Sequence, residues 1–179
     1  MTSINLSLAI SKHTEMNLAK AQIQSPVGTI EITGSENGIR SILFLESDFE
    51  ASPIPGCLRE CVDQLSEYFA GKRKHFELTL DPLGTDFQLK VWEQLKLIPF
   101  GKTISYLELA RMTGNDSNTR AVGNANGKNK INIVVPCHRV IGSNGKLTGY
   151  GGGLWRKEIL LRFEMGTQMP GLFAGTNSL

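Results

Sequence analysis

The sequence predicts two small domains, an α/β half over residues 1–86 and a mostly α half over residues 87–179. Three observations predict this. The first half holds β-rich runs around a turn and one helical repeat, whereas the second holds four helical stretches and one short β-branched run. The charge changes sign between them: residues 1–86 carry seven Lys/Arg against twelve Asp/Glu, and residues 87–179 carry twelve against five. The length of 179 residues suffices for two small packed units.

In the first half, Thr29–Thr33 and Ile39–Leu45 are predicted strands. Gly34-Ser35-Glu36-Asn37-Gly38 separates them, and its Asn-Gly pair favours the positive φ angles of a hairpin turn. Leu58, Cys61, Val62, Leu65 and Phe69 recur at helical spacing, with Gly71 placed to end that helix. Phe76, Leu78 and Leu80 alternate as a further strand up to Asp81-Pro82-Leu83-Gly84. The second half opens with a helix whose apolar face is Phe87, Val91, Trp92 and Leu95, closed by Pro99 and Gly101. Ser105-Tyr106-Leu107-Glu108 is a capping box that starts a short helix through Met112, which Gly114 stops. A turn at Asn115-Asp116-Ser117 leads to a second short helix, about Asn118 to Ala125. Two short helices joined by a Gly-containing turn have the layout of a helix-turn-helix. A last helix runs from Leu154 to about Glu164, and the tail from Thr167 is expected to be poorly ordered.

Composition excludes several classes. No apolar run approaches the roughly 20 residues that cross a bilayer, and the start of the chain has no basic region or cleavage site for secretion. Three cysteines argue against a disulfide framework and for a reducing, cytoplasmic setting. Cys57 and Cys61, four apart on a helix, could pair with His13 or His75 as metal ligands, but two small side chains facing the core explain them more simply. No metal and no cofactor is therefore expected.

From Ser117 to Lys157 no acidic residue occurs, while Arg120, Lys128, Lys130, Arg139, Lys146, Arg156 and Lys157 all do. Such a stretch suits a polyanion, although a solvated basic face has the same composition. The chemistry lies within it. In Ile131-Asn132-Ile133-Val134-Val135-Pro136-Cys137-His138-Arg139-Val140, a β-branched run is expected to form a strand that delivers Cys137 at its end. His138 and Arg139 directly after the thiol are neighbours of the kind that stabilise a thiolate, the nucleophilic form.

Val135-Pro136-Cys137-His138-Arg139-Val140 resembles the active-site signature of the O6-alkylguanine-DNA alkyltransferases, the methylated-DNA–protein-cysteine methyltransferases. Phe100-Gly101-Lys102-Thr103-Ile104-Ser105-Tyr106, Arg120-Ala121-Val122-Gly123-Asn124-Ala125, Asn129 and Leu147-Thr148-Gly149-Tyr150 with Gly151-Gly152-Gly153 resemble the same family around that signature. The likeness is close from Phe87 to Glu164 and weaker in the first half, through Ser25-Pro26-Val27-Gly28 and Leu65–Gly71. It implies a ribonuclease-H-like α/β domain followed by a helix-turn-helix (winged-helix-like) domain that carries the active site.

The resemblance also implies an activity: a monomer that binds double-stranded DNA, flips out O6-alkylguanine and moves the alkyl group onto Cys137 once, with O4-alkylthymine as a further substrate. The alternative within the fold is a non-repairing binding or regulatory protein, which would lack the cysteine. Carried over residue by residue, Cys137 is the nucleophile, His138 its base through a water, and Glu164 the group that orients the ring. Asn129 ties the hinge before the cysteine, and Arg120 fills the space left by the flipped nucleotide. Ala121 and Gly123 allow close approach to DNA, with Lys128 also on that face. Tyr106 steers the flipped nucleotide. Tyr150, the amide of Gly151 and the carbonyls of Cys137 and Val140 contact the base. Asn126, Gly127 and Gly151 depart from the family pattern, and Gly151 is expected to widen the pocket toward bulkier alkyl groups.

Overall fold

A computed structural model describes residues 18–166. His13, the start of the chain and the tail from Thr167 lie outside the described residues. Three antiparallel strands, β1 (Ala19–Ser25), β2 (Gly28–Ser35) and β3 (Gly38–Phe44), form a meander in the order β1-β2-β3. The Asn-Gly hairpin joins β2 to β3 as its sequence predicts, with Ser35 opposite Gly38. Gly38 has φ +135°, and a Cβ there would stand 2.7 Å from the Thr79 carbonyl oxygen, so both conformation and space require glycine. The β1 strand escaped prediction because its inward side is made of alanines and one isoleucine, a faint alternation.

Helix α1 (Gly56–Phe69) covers the sheet with Leu58, Cys61, Leu65 and Tyr68 buried. Gly71 follows it at φ +72°, the left-handed position expected of a helix stop. The alternating segment Phe76–Leu80 does not form a strand. It makes a single parallel bridge, Leu80 to Ile39, with backbone bonds from Ile39 N to Thr79 O and from Asp81 N to Ile39 O. Asp81 and Pro82 end the pairing there, because Pro82 has no N–H to continue a ladder.

Helix α2 (Asp86–Lys96) begins at a Thr85–Gln88 capping box. Strand β4 (Ile104–Ser105) leads into α3 (Tyr106–Met112), whose Ser105–Glu108 capping box forms as the sequence predicts. Gly114 (φ +96°) and a 3-10 turn at Asp116–Asn118 connect to α4 (Thr119–Gly127). Val122 and Ala125 of α4 are buried, and Trp92 of α2 donates its indole N–H to the Ala125 carbonyl at 2.9 Å. That bond fixes the α3–α4 pair against α2. The two-residue strand β5 (Val140–Ile141) pairs in parallel with β4, and α5 (Leu154–Glu164) is the last element of the described residues. One continuous cluster of buried apolar side chains runs through both halves, from Ile30, Ile32 and Ile42 of the sheet to Leu95, Leu109, Val122 and Leu160 of the helices.

Candidate active site

The run Ile131–Val135 is not a strand but a sequence of turns, and this is the main correction to the predicted backbone. Only Ile131 finds a sheet partner, a parallel bridge to Ile42 of β3. A β-branched run forms a strand only where a ladder is available, and here the Asn129 side chain takes over the backbone groups instead. Asn129 Oδ1 accepts from Ile131 N at 2.9 Å, while Nδ2 donates to Val135 O at 2.9 Å. The loop this closes holds Ile133 at φ +71°, an unfavourable conformation for a β-branched residue that costs on the order of 1–3 kcal/mol. Pro136 then opens a 3-10 turn, Cys137–Arg139, with all three side chains buried.

Cys137 is 3% exposed. Its sulfur accepts a hydrogen bond from Asn129 Nδ2 at 3.0 Å and donates to Asn132 Oδ1 at 3.8 Å. Burial pushes the thiol up to about 11, against the lowering effects of the Asn129 bond and the Lys157 charge. The resting sulfur is therefore a thiol, and the expectation that its sequence neighbours stabilise a resting thiolate does not hold. Arg139 turns away to donate to the Ile98 carbonyl and to Glu164. Lys157 is the cation whose field reaches the sulfur. It is fully buried, donates to the carbonyls of Val140 (2.6 Å) and Thr148 (3.0 Å), and is lowered by its burial to about 8.

Glu164, at the last turn of α5, collects five donors. Oε1 accepts from Tyr68 Oη (2.8 Å) and Arg139 Nη2 (2.9 Å) and lies 2.9 Å from His138 Nε2. Oε2 accepts from Arg139 Nε (2.8 Å) and Gly101 N (3.1 Å). Burial alone would raise this carboxyl, but the bonds and charges of His138 and Arg139 reverse that and hold it well below the usual carboxylate range. Burial lowers the His138 ring, in spite of the Glu164 bond that favours its charged form. The His138 hydrogen bond and the permanently charged Arg139 together keep Glu164 ionised beside a neutral imidazole. An ionised Oε1 requires Nε2 to carry the ring proton, so Nδ1 presents a lone pair; it is buried and makes no hydrogen bond to a described protein atom.

The remaining expected residues fall into two groups. Tyr150 packs near Phe44, its buried hydroxyl has no hydrogen-bond partner among the described residues, and burial, foremost, raises it well above its ordinary value. The carbonyl of Cys137 accepts from Val140 N and, at 3.4 Å, from Asn126 Nδ2, and the carbonyl of Val140 accepts from Lys157. Gly151 is exposed, with the Gly127 carbonyl oxygen 4.0 Å from where its Cβ would stand. On the outer face, Arg120, Ala121 and Lys128 are exposed along α4, and a Cβ on Gly123 would sit 3.7 Å from the Tyr106 ring. Tyr106 therefore lies against the α4 helix. The basic stretch is thinner than its composition: Arg139, Arg156 and Lys157 are buried, leaving Arg120, Lys128, Lys130 and Lys146 exposed. A cavity of about 430 Å³ opens beside Lys74, Leu97, Pro136 and Arg139, on walls that do not include Cys137. Among the described residues, no group of three His, Cys, Asp or Glu side chains is placed to hold a metal.

Sequence reasoning missed Lys157, Asn132 and Tyr68. The signal for Lys157 was present, since Lys157, Leu160, Leu161 and Glu164 share one helical stripe. Asn132 and Tyr68 reach the site only through tertiary packing.

Residues 18–82 match the family model described as the ribonuclease-like domain of 6-O-methylguanine DNA methyltransferase, and residues 86–166 match its DNA binding domain. A relative from Mycobacterium tuberculosis (strain H37Rv), named methylated-DNA–protein-cysteine methyltransferase, is 49% identical over 147 residues, covering 79% of this chain and 89% of the relative. One of the same name from Methanosarcina acetivorans is 46% identical over 151 residues, covering 80% and 96%. The crystal structure of Mycobacterium tuberculosis OGT in complex with DNA superposes with a TM-score of 0.75 at 47% identity, covering 83% of this chain and 93% of that one. With both domain models matched in order and the buried Cys137–His138–Glu164 cluster at their junction, the chain belongs to the 6-O-methylguanine DNA methyltransferase family.

Proposed function

We propose that this protein repairs O6-alkylguanine in double-stranded DNA by a single, irreversible transfer of the alkyl group to Cys137. The observation that carries this is the buried Glu164–His138 pair, which orients Nε2–H toward the carboxylate and leaves Nδ1 as a base in the turn that holds the thiol. A thiol raised to about 11 needs such a base, because spontaneous ionisation at neutral pH is rare.

Nδ1 takes the Sγ proton through a water as the sulfur attacks the alkyl carbon. The S–C bond forms, the C–O6 bond breaks, and the electron pair leaves on the guanine. The Lys157 charge and the Asn129 amide stabilise the developing thiolate, and the free Tyr150 hydroxyl donates to the departing base. The amide of Gly151 and the carbonyls of Cys137 and Val140 complete the contacts to it. Arg120 enters the duplex in place of the flipped nucleotide, with Tyr106 steering it and Ala121, Gly123 and Lys128 against the backbone. The product is a thioether, and no neighbouring nucleophile removes the alkyl group, so one protein is spent per lesion. The requirement for a free thiol fits a reducing compartment such as the cytoplasm. No described helix is long and apolar enough to cross a membrane.

The test is to mix the protein with a duplex bearing O6-methylguanine and weigh its tryptic peptides. One added methyl on the Cys137 peptide, with lesion loss stoichiometric to protein, is expected. Methyl on Cys57 or Cys61, or several turnovers per protein, contradicts the mechanism.

A further inference from the structure

Tyr68 belongs to α1 in the ribonuclease-like domain, yet its hydroxyl ends on the carboxylate that orients His138. It is fully buried, it is wedged edge-on between the Phe100 and Phe163 rings, and its oxygen lies 2.8 Å from Glu164 Oε1. That oxygen is also the one 2.9 Å from His138 Nε2. Three donors share that oxygen, the Tyr68 hydroxyl, His138 Nε2 and Arg139 Nη2, and they compete for the same charge. We propose that Tyr68 is a positioning residue for the transfer reaction, whose hydroxyl draws charge from Glu164 Oε1 and so keeps the His138 ring in the neutral form that accepts the thiol proton. This proposal deepens the transfer function above and rests on it.

The electrostatic surroundings set the sign. The charged groups acting on His138 are Glu164 and Lys157 from α5 and Arg139 from its own turn. Glu164 alone favours the imidazolium; Arg139 and Lys157 oppose it, as burial does. Tyr68 carries no charge of its own, because burial and the adjacent carboxylate push its phenol well above the ordinary value and keep it a donor. Removing that donor leaves more negative charge on Oε1, stabilises the imidazolium and raises the pH at which the ring loses its proton. A tyrosine that served packing alone would have no such effect on titration.

The experiment measures single-turnover methyl transfer from a duplex against pH, together with the His138 imidazole titration by NMR. Both use the full-length protein. In Tyr68→Phe, the acid limb of the rate and the imidazole titration should both move up by about one pH unit. The rate should fall several-fold on the acid side of the unaltered protein's midpoint and recover at alkaline pH. An isosteric phenol of greater acidity, 3-fluorotyrosine introduced at Tyr68, guards against loss of the fold in the phenylalanine variant and should move both curves down. Unmoved titration in both variants, or a rate lowered by one factor at every pH, overturns the proposal. Absence of transfer by the unaltered protein would instead overturn the function itself, and the imidazole titration reads the role of Tyr68 independently of that outcome.

Discussion

Lys157 buries an ammonium completely, satisfies it on the Val140 and Thr148 carbonyls, and places its charge where the Cys137 sulfur feels it. An isolated buried charge is costly, so its retention needs a compensating gain. On the proposed mechanism that gain is stabilisation of a thiolate that appears only during transfer, which lowers the barrier without strengthening the resting state. Lys157→Met should slow single-turnover transfer about tenfold at pH 7, the factor that goes with a thiol made harder to ionise by one unit. Because burial lowers the Lys157 ammonium to about 8, its charge fades in the native protein above that pH, and the deficit should shrink there. A deficit that stays constant to pH 9 would assign Lys157 to packing. Cys137 and His138 were legible in the sequence because a short motif carries them, and Glu164 through its likeness to the family at the end of the last helix. Lys157 was counted with the exposed basic patch, since charge summed along a chain does not say which cations face inward. Tyr68 was hidden more deeply: 96 positions separate it from its partner, and nothing local marks a helix tyrosine as one that reaches across to another domain.

Elements whose ends are written in local chemistry were read well. The Asn-Gly hairpin, the Ser105 capping box and the glycine stops at Gly71 and Gly114 depend on residues within a few positions of one another. Elements that depend on a distant partner were not: Ile131–Val135 has strand composition but only one bridge, and Phe76–Leu80 alternates but pairs at a single residue. The α3–α4 pair lies within residues 86–166, which match the family's DNA binding domain, and it carries the proposed contacts to the duplex. On it Arg120 is exposed and belongs to none of the ion pairs among the described residues, so it is free to enter a duplex. Arg120→Ala should therefore reduce transfer from a duplex by tenfold or more while leaving reaction with free O6-benzylguanine within about twofold, since a free base needs no flipping. Equal losses on both substrates would remove Arg120 from that role.

At the scale of the whole molecule, the first domain is built into the reactive site. Its β3 strand exchanges backbone bonds with the loop before Cys137, from Ile42 N to Lys130 O and from Asn132 N to Ile42 O, and Asn132 Nδ2 donates to the same carbonyl. Arg156 of α5 donates to the Val27 carbonyl and stacks over Phe44, and Tyr68 reaches Glu164. Stability and catalysis consequently draw on the same buried cluster, and acid should expose it. An unfolded glutamate takes up a proton near pH 4.3 and an unfolded histidine near pH 6.5, whereas the folded protein holds Glu164 ionised and His138 neutral to lower pH. As pH falls, the unfolded chain therefore binds more protons than the native one, and stability is lost, first below about pH 6.5 through His138 and then below about pH 4.3 through Glu164. Urea midpoints at pH 7, 5.5 and 4 should decline in both intervals. Glu164→Gln should cost about 3 kcal/mol at pH 7, because Arg139 loses its buried counter-charge, yet its midpoint should decline less than that of the unaltered protein between pH 5.5 and 4. The other carboxylates titrate alike in both proteins and cancel from the comparison, so parallel declines would mean that the buried carboxylate is not what couples folding of the two domains to pH.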